Sequence, residues 1–292
     1  MRRLPPLIVC TMLLSAAALA GAVRRDPTPL ALPANSGGFA LDVNSRGQVL
    51  GVVFGNPDIG SFLMSRGTVD AIDFPGAGFS SARGLNNRGD IVGAYRDDQQ
   101  FHGFLRSHDG KFFTVDVPGA DGTMATDVNA TRNIVGRYVE VLPNTDERFH
   151  GFLLTAAGFQ VIDNPFGGFH TFPESITDAG VIVGTFGGDQ DSPRHGFVVD
   201  DGAWTILDYP GADSTFLNGI SNDGTIVGYA FFPDDVPAER GFVYRNGRFI
   251  DLPAVYLPYG VNASGITVGV WYRDGSGPLP ACLALQGRTC GP

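Results

Sequence analysis

Apolar positions along this chain come in short runs, four to a unit, and the unit recurs. In the stretch from Gly84 to Ala120 the runs are Gly84–Leu85, Asp90–Tyr95, Gly103–Arg106 and Phe112–Val117. Asn-x-x-Gly, an acidic loop, Asp-Gly and Pro-Gly separate them, and these are turn signals rather than helix caps. Each unit is predicted to form a four-stranded antiparallel blade. The glycine closing each (Ile/Val/Leu)-Gly step stands at Gly51, Gly93, Gly136, Gly184, Gly228 and Gly269, so successive units are offset by 42, 43, 48, 44 and 41 residues. A period of about 40–45 residues is that of propeller blades.

Three landmarks mark the unit. A turn precedes each glycine: Asn44-Ser-Arg-Gly47, Asn86-Asn-Arg-Gly89, Asn129-Ala-Thr-Arg132, Thr177-Asp-Ala-Gly180, Ser221-Asn-Asp-Gly224 and Asn262-Ala-Ser-Gly265. Gly supplies the positive φ that such hairpins need, so at Arg132 either a non-glycine residue adopts the left-handed conformation or the turn is of another type. His-Gly-Phe follows at His102, His150 and His195, with Arg240-Gly-Phe242 and Gly60-Ser-Phe62 in the same slot and Pro280-Ala-Cys282 in the last unit. The unit then ends on Asp73, Asp116, Asp163, Asp208 or Asp251, each two residues before a proline.

The sixth unit lacks that ending. From Pro75 to Asn86 is eleven residues, as from Pro118 to Asn129, and eleven back from Asn44 is Pro33, preceded by Leu30-Ala-Leu32. The expected fold is therefore all-β, a six-bladed β-propeller with four antiparallel strands per blade, closed by pairing the N-terminal strand with the C-terminal three-stranded unit. Blades packed face to face would bury Ile91, Val92, Phe104, Val115 and their equivalents.

The first residues read differently. Arg2 and Arg3 precede an apolar run from Leu7 to Ala20, and Ala18-Leu-Ala20 and Ala20-Gly-Ala22 fit a cleavage site, the pattern of an export signal. The expected organisation is residues 1–22 signal peptide, 23–28 linker and 29–292 a single propeller domain. The run falls short of the about 20 residues of a membrane span, so no integral membrane segment is expected after the signal is removed. Cys10 leaves with it, and Cys282 and Cys290, in an oxidising compartment, are expected to form a disulfide. A net charge of −10 disfavours nucleic acid and anionic membranes.

His-Gly-Phe-Leu, Asp-x-Pro-Gly-Ala and Ile-Asn-x-x-Gly-x-Ile-Val-Gly resemble the HAF family of bacterial extracellular repeats over about residues 30 to 285. The resemblance implies a secreted propeller and carries no catalytic residues with it. Departures are Arg132 for Gly, Arg240 for His, and Cys282 for Phe.

His102, His150 and His195 with the repeated aspartates Asp73, Asp116, Asp163, Asp208 and Asp251 invite reading as metal ligands. Equivalent positions on separate blades form a wide ring, however, so these residues are assigned a structural role within their own blades. The loops of variable length share one face with Asp97, Asp98, Asp146, Glu147, Asp189, Asp191, Asp234, Asp235 and Asp274, and with Phe79, His170, Phe172 and Tyr256. Variable loops on a rigid scaffold are where binding concentrates, so these four aromatic residues are the candidate ligand contacts. No cofactor is implied, Ca²⁺ on Asp189-Gln-Asp191 being the one candidate. The expected function is a ligand-binding or scaffold module for a glycan or peptide. The alternative is a glycan-active hydrolase or lyase using carboxylates and His170 at the channel mouth.

Overall fold

A glycine and a phenylalanine facing each other across the two middle strands set the geometry of every regular blade. Gly51 pairs with Phe62, Gly93 with Phe104, Gly136 with Phe152, Gly184 with Phe197 and Gly228 with Phe242. A Cβ on Gly136 would lie 2.2 Å from the Met124 carbonyl oxygen and 2.7 Å from the Phe152 ring. The phenylalanine fills the space its partner lacks, and all five rings are buried. The repeated (Ile/Val)-Gly step is thus one half of a packing unit, with His-Gly-Phe as the other.

The computed structural model describes residues 8–13, 28–31, 37–54, 60–97, 100–188, 192–235, 237–252, 256–272, 278–279 and 282–283, and no helix occurs among them. Strands β1 (Ile8–Leu13) and β2 (Thr28–Ala31) precede five four-stranded sheets. Blade 1 is β3 (Gly37–Val43), β4 (Val49–Phe54), β5 (Ser61–Ser65) and β6 (Thr68–Ala71). Blade 2 is β7 (Phe79–Leu85), β8 (Ile91–Arg96), β9 (Phe101–Arg106) and β10 (Phe112–Val115). Blade 3 is β11 (Gly122–Val128), β12 (Ile134–Val141), β13 (Glu147–Thr155) and β14 (Gly158–Val161). Blade 4 is β15 (His170–Ile176), β16 (Ile182–Gly187), β17 (Arg194–Asp200) and β18 (Ala203–Ile206). Blade 5 is β19 (Ser214–Ile220), β20 (Ile226–Phe231), β21 (Glu239–Arg245) and β22 (Arg248–Asp251). The chain continues into β23 (Tyr256–Val261), β24 (Ile266–Tyr272), β25 (Pro278–Leu279) and β26 (Cys282–Leu283).

The fold is an all-β propeller, and its core is a set of apolar layers between sheets. Leu50, Leu63 and Ile72 of blade 1 pack on Ala82, Leu85, Ile91 and Phe104 of blade 2, and Val92 and Val115 continue onto Ala125, Val128, Ile134 and Phe152 of blade 3. The last layer joins Val268 of β24 to Ala40, Val43, Val49, Val53 and Phe62 of blade 1. The first strand of each unit lies innermost, where β3, β7, β11, β15, β19 and β23 neighbour one another around the axis.

The last sheet corrects the expectation of a sixth blade like the others. Its strand order is β2-β26-β1-β24-β23, with β25 also paired to β24. β25 and β26 have two residues each, too short to cover the edge of β24, and β1 pairs with it from Thr11↔Val268 to Leu13↔Ile266. β2 lies beside β26, with Pro29 opposite Cys282. β1 falls within the stretch read as an export signal. The rest of that stretch, Pro33, and Cys290 of the expected Cys282–Cys290 pair lie outside the described residues.

Hydrogen bonds link every pair of neighbouring sheets. Asn44 Nδ2 donates to the Asn86 carbonyl (3.2 Å), Asn86 to that of Asn129 (3.0 Å) and Asn129 to that of Thr177 (3.1 Å). Asn262 Nδ2 donates to the Asn44 carbonyl at 2.9 Å, across the meeting point of the two chain ends. Thr177 and Ser221 have no amide to give. There the Asp178 N–H donates to Asn222 Oδ1 (2.8 Å), and Asn218 Nδ2 to the Pro258 carbonyl (2.8 Å). Each turn asparagine also accepts from backbone N–H groups of its own turn, as Asn86 Oδ1 does from Arg88, Gly89 and Asp90.

Arg132 takes the left-handed conformation, φ 63°, which disfavours a residue with a Cβ by about 1–2 kcal/mol. Its guanidinium supplies the compensation. Nε and Nη2 lie 3.0 and 2.8 Å from the two carboxylate oxygens of Asp90, whose side chain is fully buried. Burial opposes the charge on Asp90, but Arg132, the Asn86 amide and the His108 N–H together hold its pKa well below the usual carboxylate range.

Two substitutions test this reading. Gly136→Ala, which drives a methyl into a carbonyl and a ring, is expected to lower stability by about 3 kcal/mol, measured by urea unfolding. Arg132→Gly restores the turn residue of the other units yet strands the Asp90 charge, so it is expected to destabilise by roughly 1–3 kcal/mol. In an Asp90→Asn background the same change should be neutral or stabilising, and a loss of equal size in both backgrounds would disprove the compensation.

Candidate functional site: the mouth of the central channel

Every innermost strand carries a β-bulge at the same place. The register skips between Ala40 and Asp42, Ala82 and Gly84, Ala125 and Asp127, Pro173 and Ser175, Leu217 and Gly219, and Pro258 and Gly260. A bulge sets one residue outside the strand register and re-aims its side chain. The skipped residues are Leu41, Arg83, Thr126, Glu174, Asn218 and Tyr259, and all six line one cavity of about 390 Å³ with Arg137, Phe172, Thr185, Arg194, Phe216 and Tyr229. Where the repeat places a glycine opposite a phenylalanine in each of the five regular blades, here it places six unlike residues.

The mouth is cationic and aromatic. Arg137 Nη1 lies 3.3 Å from Glu174 Oε1, and the guanidinium groups of Arg137 and Arg194 sit 5.4 and 5.0 Å from the Phe172 ring centre. Phe216 stacks on Tyr229 with ring centres 4.5 Å apart. Burial raises the Glu174 pKa, with Arg137 and Arg83 pulling against it. Burial likewise lowers that of Arg137, Glu174 opposing and the like charge of Arg83 adding to the effect. The arrangement can hold an anion, stack a flat apolar group and offer one carboxyl for proton exchange.

Below the bulges the channel narrows to a neck of about 30 Å³. The next residue of each inner strand there is Asp42, Gly84, Asp127, Ser175, Gly219 or Gly260. A side chain has no room at the glycines, since a Cβ on Gly84 would lie 2.5 Å from the Asp127 Cα. Asp42 Oδ2 accepts from the Leu85 N–H (2.7 Å). Asp127 Oδ2 accepts from the Ser175 hydroxyl (2.7 Å) and the Ile176 N–H (2.9 Å), so each carboxyl clamps the following blade. Desolvation raises both, with the Asp127 charge adding to the effect on Asp42, while Asp127 is raised to about 6.

The repeated histidines sit on the blade bodies. His102, His150 and His195 each place Nδ1 within 2.7–2.8 Å of Oδ2 of Asp116, Asp163 and Asp208 of the same blade. His102 Nε2 also meets Asp97 (3.1 Å) and His150 Nε2 meets Glu140 (3.0 Å). Burial disfavours the His102 charge, but Asp116 and Asp97 outweigh it and raise the pKa. Blade 1 has no such histidine, and Asp73 accepts from the N–H groups of Gly60 and Ser61. In blade 5 Asp251 accepts from the Tyr209 hydroxyl (2.6 Å), while Arg240 pairs with Asp235.

The four aromatic candidates separate. Phe172 lines the channel mouth. Phe79 is 50% exposed at the start of β7. His170 is buried, its Nδ1 accepting from the Phe149 N–H (3.2 Å) among the rings of Phe149, Phe169 and Phe172. Tyr256 is a correction: it opens β23 and is wholly buried in the layer between blade 5 and the last sheet, its hydroxyl 3.2 Å from that of Thr267. Asp98, Asp189, Asp191 and Asp274 lie outside the described residues, as does the Asp189-Gln-Asp191 candidate for Ca²⁺. Among the described residues no group of three or more His, Cys, Asp or Glu could hold a metal.

The bulge residues themselves were not expected from the sequence. Their signal was present, since each stands three residues before a turn residue: Leu41 before Asn44, Arg83 before Asn86, Thr126 before Asn129, Glu174 before Thr177, Asn218 before Ser221 and Tyr259 before Asn262.

No protein-family model matches this sequence, and no curated protein matches it. Among solved structures it is similar to a streptogramin B lyase, with 15% identity, a TM-score of 0.50 and coverage of 86% of this chain and 84% of the other. It is also similar to a gluconolactonase from Xanthomonas campestris, with 11% identity, a TM-score of 0.53 and coverage of 92% and 95%. At these identities the likeness is one of fold.

The neck makes stability depend on pH. A carboxyl with a folded-state pKa above its unfolded one binds more protons when folded, so its contribution is complete below about pH 4 and lost as pH rises through the folded value. With Asp127 raised from 3.8 to about 6, the loss is of order 2–3 kcal/mol. Urea midpoints between pH 4.5 and 7 are expected to fall steeply for the native chain and less for Asp127→Asn. Parallel profiles would disprove the assignment.

Proposed function

We propose that this chain is an exported, HAF-like propeller that acts as a binding or scaffold module and seats its ligand in the mouth of the central channel. The observation that carries this reading is the convergence of six chemically unlike bulge residues on one cavity. A repeat kept for packing alone calls for like residues at like positions, as it has two places after each bulge, where Val43, Leu85, Val128, Ile176, Ile220 and Val261 are all buried aliphatic side chains. At about 390 Å³ the cavity falls within the size range of small-molecule pockets.

Export rests on Arg2, Arg3 and the apolar run to Ala20. Removal of residues 1–22 takes β1 with it and leaves the edge of β24 that β1 pairs open to the N-terminal strand β2 of the exported chain, which would complete a sixth blade. A glycan-active hydrolase or lyase is the second reading. Glu174 favours it, because a desolvated carboxyl of raised pKa beside an arginine suits a general acid.

The mature chain is to be titrated against glycan and peptide libraries, with product analysis in the same incubations. A ligand is expected whose affinity drops about tenfold or more in Phe172→Ala. Ligands indifferent to that change, or none at all, would remove the channel mouth as the site. Turnover abolished by Glu174→Gln would move the assignment to the enzyme.

A further inference from the structure

We infer that the ligand is a small amphipathic organic anion, its carboxylate held by Arg83 at the channel mouth and its apolar body lying in the groove between blades 1 and 2. The inference rests on the channel-mouth reading and adds the chemical class.

The groove is a second cavity, of about 650 Å³, and it shares Leu41, Arg83 and Tyr259 with the mouth. The two therefore form one continuous depression with Arg83 at the junction. The groove has an apolar side, formed by Phe39, Val52, Phe54 and Phe79, next to the polar Ser80 and Ser81. Phe54 and Phe79 are 48% and 50% exposed, large aromatic surfaces left in water on the rim of a concave site.

Charge sets the orientation. Two charged groups line the groove, Asp73 and Arg83. Asp73 is already committed, each of its oxygens 3.1 Å from a backbone N–H, of Gly60 or Ser61. Its charge would repel an anionic head at that end. Arg83 stands at the other end, exposed on its bulge, with a planar array of donors that matches a carboxylate. The mouth beyond it adds Arg137 and Arg194 against the single carboxylate of Glu174, an excess of positive charge on a chain whose net charge is −10. Arg83 and Arg137 already repel each other, as the depressed pKa of Arg137 reflects in part, and a bound anion relieves that repulsion. A neutral ligand of the same shape would gain the groove and not the guanidinium.

The test compares 2-naphthoate with 2-naphthylmethanol by calorimetry on the mature chain. Naphthoate is expected to bind at least tenfold more tightly, with the difference shrinking as ionic strength rises. Arg83→Gln should erase most of that difference and Arg83→Lys restore part of it, while Phe79→Ser should weaken both probes. Equal affinities, a difference that survives Arg83→Gln, or no naphthoate binding at millimolar concentration would each overturn the inference. The binding-module reading is decided separately, by the library titration and Phe172→Ala: a neutral ligand lost in that variant would sink the anion and keep the site.

Discussion

No sheet of this protein can hide its apolar face alone, so everything else depends on the ring closing. The decisive contact is the seam between the last sheet and blade 1, where Val268 packs against Ala40, Val43 and Phe62 and the Asn262 amide reaches the Asn44 carbonyl. Chain ends more than two hundred residues apart meet there. The apolar layers provide most of the driving force, because each buries large side chains at about 1.5–3 kcal/mol apiece. The asparagine relay is smaller in energy and stricter in geometry. It ties the turns of successive blades together around a channel of small width.

That width explains the chemistry of the neck. Held close to the axis, inner strands have room for glycine at Gly84, Gly219 and Gly260, and for short side chains at Asp42, Asp127 and Ser175. Carboxyls placed there are desolvated and near each other, which favours the protonated form. Each also ties its blade to the next through backbone N–H groups. The same crowding that stitches the ring together leaves it sensitive to proton loss. One turn away, Asp90 experiences the reverse, because Arg132 bends into an unfavourable conformation to pair with it. Asp127 and Asp90 are thus pushed in opposite directions, the second by the cation that reaches it.

The blade pattern was legible because the repeat reports local rules: turn residues, alternation, and a glycine facing a phenylalanine. Arg132 stood out as a departure, and its left-handed φ is one of the two outcomes its position allowed. What repetition could not convey was position relative to the axis. Tyr256 reads as a loop aromatic until β23 is seen to begin there, facing blade 5. The last sheet was misjudged because strands of two residues, β25 and β26, cannot cover an edge that the count of landmarks assigned to them. The bulge residues were overlooked for the opposite reason. They vary from unit to unit, and a search for likeness passes over a column where difference is the information.

Those six bulges have a consequence for how such a protein can change. Arg83 and Leu41 project from extra residues that lie outside the strand register, so replacing them leaves the interlocking layers between blades untouched. Chemical identity at the opening is in this way separated from the architecture that frames it. One scaffold of fixed shape can be readdressed to a new molecule by exchanging letters such as these two, each set three places ahead of a turn.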